Sequence, residues 1–154
     1  MKQHNDIKIN SILIVSLIGL IIFGCNEQAI SREDDSEDYK RVMVSITTPH
    51  DHSSIGKEEV IRGKLTDPLL HVYVLIHPLK TDLWYFQNLP SIDITNNTFR
   101  CYCYFGNTTE GIGQPFEIIA IATKRDKRYP AGKTIRQLPS RVYRSPIVQV
   151  KRDR

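Results

Sequence analysis

Hydrophobic and polar positions divide the chain into three regimes. An apolar run, Ile12–Phe23, is broken only by Ser16 and Gly19. Asn26–Lys40 then holds almost nothing apolar beyond Ala29 and Ile30. From Arg41 onward apolar residues recur at every second position, the period of a half-buried β-strand. Val42, Val44 and Ile46 alternate with Met43, Ser45 and Thr47 before the turn at Thr48-Pro49. His50–Lys57 is polar and reads as a loop, and Val60–Lys64 as a second strand with Gly63 at a bulge or close contact.

After a turn at Asp67-Pro68, Leu70–His77 places Val72, Val74 and Ile76 on one face and His71, Tyr73, Leu75 and His77 on the other. Leu83–Gln87 predicts a short strand and Asn88–Asn97 a loop. Thr98–Phe105 predicts a strand with Phe99, Cys101, Cys103 and Phe105 inward and Arg100, Tyr102 and Tyr104 outward. Gly106–Gln114 reads as a loop, and Pro115–Thr123 as a strand buried on most sides. Lys124–Ser140 is basic and turn-rich, and Tyr143–Lys151 predicts a last strand that Pro146 keeps partly at an edge. About seven short strands and no convincing helix predict an all-β fold, an antiparallel two-sheet sandwich spanning residues 41–154. A small OB-like barrel is the alternative.

The amino-terminal regime is of another kind. Lys2 and Lys8 precede the apolar run, and Gly24-Cys25 follows it, the layout of a secretory signal. The run is short for a spanning helix, which needs roughly 20 apolar residues. An uncleaved signal anchor is the alternative. Ile22-Phe23-Gly24-Cys25 resembles the lipobox of bacterial lipoproteins, with Phe23 where that family usually has a small residue. The resemblance implies cleavage after residue 24, lipid (palmitate-type) acylation of Cys25 and a membrane address outside the cytoplasm. Asn26, rather than Asp, after the cysteine leans toward an outer membrane.

Charge sharpens this division. Asn26–Asp38 carries six acids against Arg32, a net of −5, and predicts an extended tether over residues 25–40. From Tyr39 onward 18 bases face 10 acids, and 11 of those bases lie in Lys124–Arg154. Such a surface either gathers anionic partners or simply solvates strands and loops. Cys101 and Cys103 point the same way on one strand, with Cα atoms about 6.5 Å apart and parallel Cβ vectors, a poor disulfide geometry. They read as buried thiols.

Taken together, Ile46-Thr47-Thr48-Pro49, Val60–Gly63, Val72–Pro78, Trp84-Tyr85-Phe86-Gln87, Asn97-Thr98-Phe99 and Phe116–Ile121 resemble the bacterial immunoglobulin-like domains of secreted and surface proteins. Antibody-type Cys…Trp…Cys spacing is absent. The resemblance implies a non-catalytic module for adhesion, spacing or ligand binding, and fold alone names no ligand.

Candidate chemistry is sparse. His50-Asp51-His52 is the tightest set of metal-ligand types, but a structural site needs a third or fourth ligand, and a solvated turn is the alternative. No G-x-S-x-G elbow, paired carboxylates or phosphate loop before a helix is present, so the chain reads as non-enzymatic, with no cofactor implied. Tyr73, Trp84, Tyr85, Tyr102 and Tyr104 cannot all be core residues if alternation holds, and exposed rings of this kind suit a sugar or protein partner. The expectation is a lipid-anchored envelope protein binding a glycan or protein ligand. An accessory subunit of a larger envelope complex is the alternative, and the secretory address argues against nucleic acid.

Overall fold

The computed structural model describes residues 41, 43–124 and 129–153. The signal segment, the Cys25 lipid site and the acidic tether lie outside the described residues. The described residues form eleven strands and no helix. In chain order these are β1 (Val44–Thr48), β2 (Ser53–Ile55), β3 (Glu58–Leu65), β4 (His71–Pro78), β5 (Trp84–Phe86) and β6 (Ser91–Asp93). They continue with β7 (Thr98–Tyr104), β8 (Pro115–Thr123), β9 (Thr134–Ile135), β10 (Tyr143–Arg144) and β11 (Val148–Arg152).

Two sheets result. One has the order β1-β3-β7-β6, the other β2-β11-β8-β4-β5-β9, with β10 also paired to β8. All pairs are antiparallel except β2 with β11. This is not a barrel. The main core joins inward faces of both sheets: Val44, Ile61, Phe99, Cys101, Cys103 and Phe105 meet Val72, Val74, Ile76, Ile118, Ala120 and Val150. Inward residues alternate with exposed ones along β7 as a strand with one dry face requires. Gly63 sits where an added Cβ would lie 2.2 Å from the Phe99 ring and from the Ser45 carbonyl oxygen, which is why that position carries no side chain.

β8 is buried on both faces, because a second core lies on the opposite side of the larger sheet. Tyr73, Leu75, Trp84, Phe86, Ile119, Ile121 and Val142 form it, with Tyr129, Ile135 and Leu138 packed against them. Lys124–Ser140 was expected to be a basic, turn-rich segment, and from 129 to 142 the chain does more than that. It brings those apolar side chains over β4, β5 and β8, and β9 pairs with β5. Tyr129 stacks on Phe86 at 4.5 Å and meets Tyr73 edge-on at 5.1 Å.

The strand expected over Tyr143–Lys151 is split. β10 and β11 pair with different stretches of β8, on either side of Ser145-Pro146-Ile147. Ser145 keeps the ladder satisfied: its N–H donates to the Ala120 carbonyl (2.9 Å), and its hydroxyl oxygen accepts from the Ala120 N–H (3.0 Å). β11 is not an edge, since β2 pairs with it. Three short strands, β2, β6 and β9, lie in stretches read as loops.

Candidate functional site

The two sheets part at one rim, where a cleft of about 420 Å³ opens. Ile76, Phe86 and Phe116 are its apolar lining residues, and the rest come from β5, the end of β7, the 106–114 loop and Ala131-Gly132. That volume lies within the ~300–1,000 Å³ typical of small-ligand sites.

Gln87 and Asn88 hold one wall. Gln87 Oε1 accepts from the Tyr104 N–H (3.0 Å), its Nε2 donates to the Tyr85 carbonyl (3.1 Å), and Asn88 Nδ2 donates to the Tyr102 carbonyl (3.2 Å). The bonds to Tyr104 and Tyr102 tie the residues that follow β5 of one sheet to β7 of the other. Tyr85, on the opposite face of β5 from Trp84 and Phe86, lines the cleft together with Tyr104.

Arg152 holds the other wall. The side chain is 2% exposed, and its Nη1 lies 2.8 Å from the Phe105 carbonyl oxygen, 2.7 Å from that of Asn107 and 2.6 Å from that of Glu110. The loop around it is tight. Gly106 (φ +81°) and Gly111 (φ +102°) take left-handed backbone, and a Cβ on Gly106 would lie 2.3 Å from the Glu110 carbonyl oxygen. Asn107 Oδ1 accepts from the N–H groups of Thr109 (2.9 Å) and Glu110 (2.7 Å), an Asx turn. Gln114 closes the loop: its carbonyl accepts from the Arg152 N–H (3.1 Å), while its side-chain Oε1 is buried without a protein hydrogen-bond partner. Buried acceptors are rarely left so, and this one belongs to a side chain lining the cleft.

Beside the cleft, His77 and Glu117 face each other across β4 and β8. His77 Nδ1 lies 2.9 Å from Glu117 Oε2, its Nε2 lies 2.7 Å from the Thr81 carbonyl oxygen, and its ring stacks on Trp84 at 4.8 Å. This pair fixes the turn from which Lys80 and Thr81 reach the rim.

The five aromatic residues expected to share a surface do not. Tyr73 and Trp84 are 5% and 8% exposed in the second core, so neither offers a ring face to solvent. Pleat alternation put Tyr73 on the face away from the main core, and the 129–142 segment covers that face. Tyr85 and Tyr104 both line the cleft. Tyr102 and Tyr104 stand on the outer face of β7, about half exposed, with ring centroids 6.1 Å apart.

His50 and His52 lie on an exposed turn. Asp51 accepts from the Gln149 N–H (2.7 Å) and pairs with His52 (3.3 Å), and no group of three metal-ligating side chains occurs among the described residues. Cys101 and Cys103 are free, buried thiols with sulfurs 3.5 Å apart. The Cys101 hydrogen bond, reinforced by burial, pushes the Cys103 thiol far above its ordinary range. Sequence reasoning passed over Gln114, Asn107, Glu110 and Arg152, since a polar glycine-rich loop and a terminal basic residue carry no local sign of being clamped together.

Neither family models nor curated proteins match the chain. Among solved structures, the endo-β-1,4-mannanase from Thermotoga petrophila is similar over 75% of this chain and 20% of that one, with a TM-score of 0.46 and 14% identity. The chain thus spans about a fifth of that structure, and a likeness of this size bears on neither activity nor ligand.

Proposed function

We propose that this protein is a lipid-anchored, non-enzymatic component of a bacterial envelope whose immunoglobulin-like sandwich binds a saccharide in the rim cleft. The observation that carries the reading is the make-up of the cleft. Tyr85 and Tyr104 are among its lining residues, and Gln87, Asn88, Asn107 and Gln114 bring planar amides to it. A sugar ring has the same two-sided character, an apolar C–H face and a hydroxyl rim, and the buried Gln114 Oε1 is an acceptor for such a hydroxyl.

Glycoside hydrolysis canonically employs two carboxylates flanking the bond to be cut. The described lining of the cleft holds one, Glu110, which favours binding over turnover. A broad, flat apolar patch or an exposed strand edge would favour the accessory-subunit alternative. The most exposed large aliphatic residues, Leu69, Leu89, Ile94, Ile112 and Ile147, stand instead on five separate connections.

Calorimetric titration with a panel of envelope and surface oligosaccharides tests the binding reading. A saturable ligand should lose about tenfold in affinity in Tyr85→Ala, the equivalent of one ring contact of ~1.4 kcal/mol. Saturable binding that is indifferent to Tyr85, Tyr104 and Gln114 would place the site elsewhere. The anchor has its own test: labelled fatty acid and membrane partition should follow the wild-type protein and be lost in Cys25→Ser.

A further inference from the structure

The outer face of the β1-β3-β7-β6 sheet carries a pattern that the cleft does not use. The β3–β7 register sets Arg62 directly opposite Arg100, with Lys64 opposite Thr98 on one side and Val60 opposite Tyr102 on the other. Like charges directly across an antiparallel pair destabilise it. Arg62, Lys64 and Arg100 are all exposed, and none joins an ion pair among the described residues.

These three cations line a hollow of about 430 Å³ together with Ser91, Thr98 and Asp93. Asp93 is the carboxylate of this hollow, and its oxygens are engaged by the backbone and side-chain N–H groups of Asn96 (3.2 and 2.8 Å). Three cations against this one carboxylate leave the hollow with an excess of positive charge. Further along β7 on the same face stand Tyr102 and Tyr104, half exposed, and Tyr104 also forms the wall of the cleft. Glu58, opposite Tyr104, lies 3.5 Å from Lys57.

We propose that this face is a second subsite, for the acidic groups of a polysaccharide that enters the cleft with its other end. The guanidinium forks of Arg62 and Arg100 match carboxylate geometry in a way a lone ammonium does not. Tyr102 and Tyr104 carry the intervening sugar rings from the Arg pair to the rim. The ligand class is an acidic polysaccharide, recognised by charge on the sheet face and by ring stacking at the cleft. This rests on the saccharide reading of the cleft, to which Tyr104 joins the face.

A matched pair of probes isolates the charge: hexagalacturonate as the free acid and as its methyl ester. Calorimetry on the full chain should find the acid about tenfold tighter than the ester at low salt, a preference that falls as salt is raised. R62Q/R100Q should bring the acid-to-ester ratio to about one and leave the ester affinity within about twofold of wild type, with a melting temperature no lower than wild type as the folding control. A wild-type ratio of one, or a ratio that survives in R62Q/R100Q, overturns the proposal. Oligothymidylate binding tighter than hexagalacturonate, with the same Arg62/Arg100 dependence, overturns the ligand class. Loss of the acid preference in R62Q/R100Q, with both affinities unmoved in Tyr85→Ala, supports the face while refuting the cleft.

Discussion

Arg152→Met removes the charge that holds the cleft's outer wall and leaves an unbranched apolar side chain that stops short of the carbonyls. In the native protein, Nη1 donates toward three carbonyl oxygens, those of Phe105, Asn107 and Glu110, at 2.6–2.8 Å. A hydrogen bond from a charged donor contributes about 1.5–3 kcal/mol, and a buried carbonyl left without a donor costs ~1–3 kcal/mol. Because Nη1 carries two protons for three acceptors, these terms do not simply add. Replacing a buried charge with an apolar group can be neutral when its partners go with it. Here the carbonyls remain, and only those of Asn107 and Glu110 lie where water can reach once the loop opens. We therefore expect a loss of about 3 kcal/mol, which for a domain of roughly 110 residues lowers Tm by ~13 °C. Differential scanning calorimetry reads this directly. The exposed neighbour Lys151→Met serves as control and should shift stability by less than about 0.5 kcal/mol. A fall of less than about 3 °C in Arg152→Met, near the size of that control, would refute the clamp.

Three further outcomes follow from the packing. Trp84→Ala, in the second core, should lose about 3–5 kcal/mol in urea unfolding, whereas Tyr102→Ala on the open face should stay within about 1 kcal/mol. Gly63→Ala should cost about 3 kcal/mol or more in the same assay, since the new methyl meets both the Phe99 ring and the Ser45 carbonyl at 2.2 Å and the backbone partner cannot rotate away. The Cys101–Cys103 pair should resist a thiol reagent at pH 8 until the protein unfolds. Because the folded Cys103 thiol titrates above its ordinary value of 9.0, its contribution to stability is complete below that pH and is lost as pH rises beyond it, when only the unfolded chain ionises.

Much of this fold is legible from single positions. Phe116–Ile121 is apolar at nearly every residue, and only a central strand covered on both faces can use such a run. Phe99, Cys101, Cys103 and Phe105 announce one dry face through strict alternation. Alternation cannot say whether the other face is wet. Tyr73 and Leu75 have the same period as exposed residues on β7, and their burial depends on Tyr129, Ile135 and Leu138, more than fifty residues away. The rim cleft was illegible for a related reason. Gln87, Tyr104, Gln114 and Arg152 come from four separate stretches, and each alone is an ordinary polar or aromatic residue. The facing of Arg62 and Arg100 likewise follows from strand register, which no local pattern sets.

Saccharide binding in the rim cleft is tested most directly by mapping backbone amide shifts in the ¹⁵N-labelled protein as the best-binding oligosaccharide is titrated in. Shifts should concentrate at Tyr85, Gln87, Tyr104 and the Gly106–Gln114 loop, and need about tenfold more ligand to saturate in Tyr85→Ala. Shifts confined to the His50–His52 turn or to residues 129–142, or saturation with no change around Gln114, would contradict it.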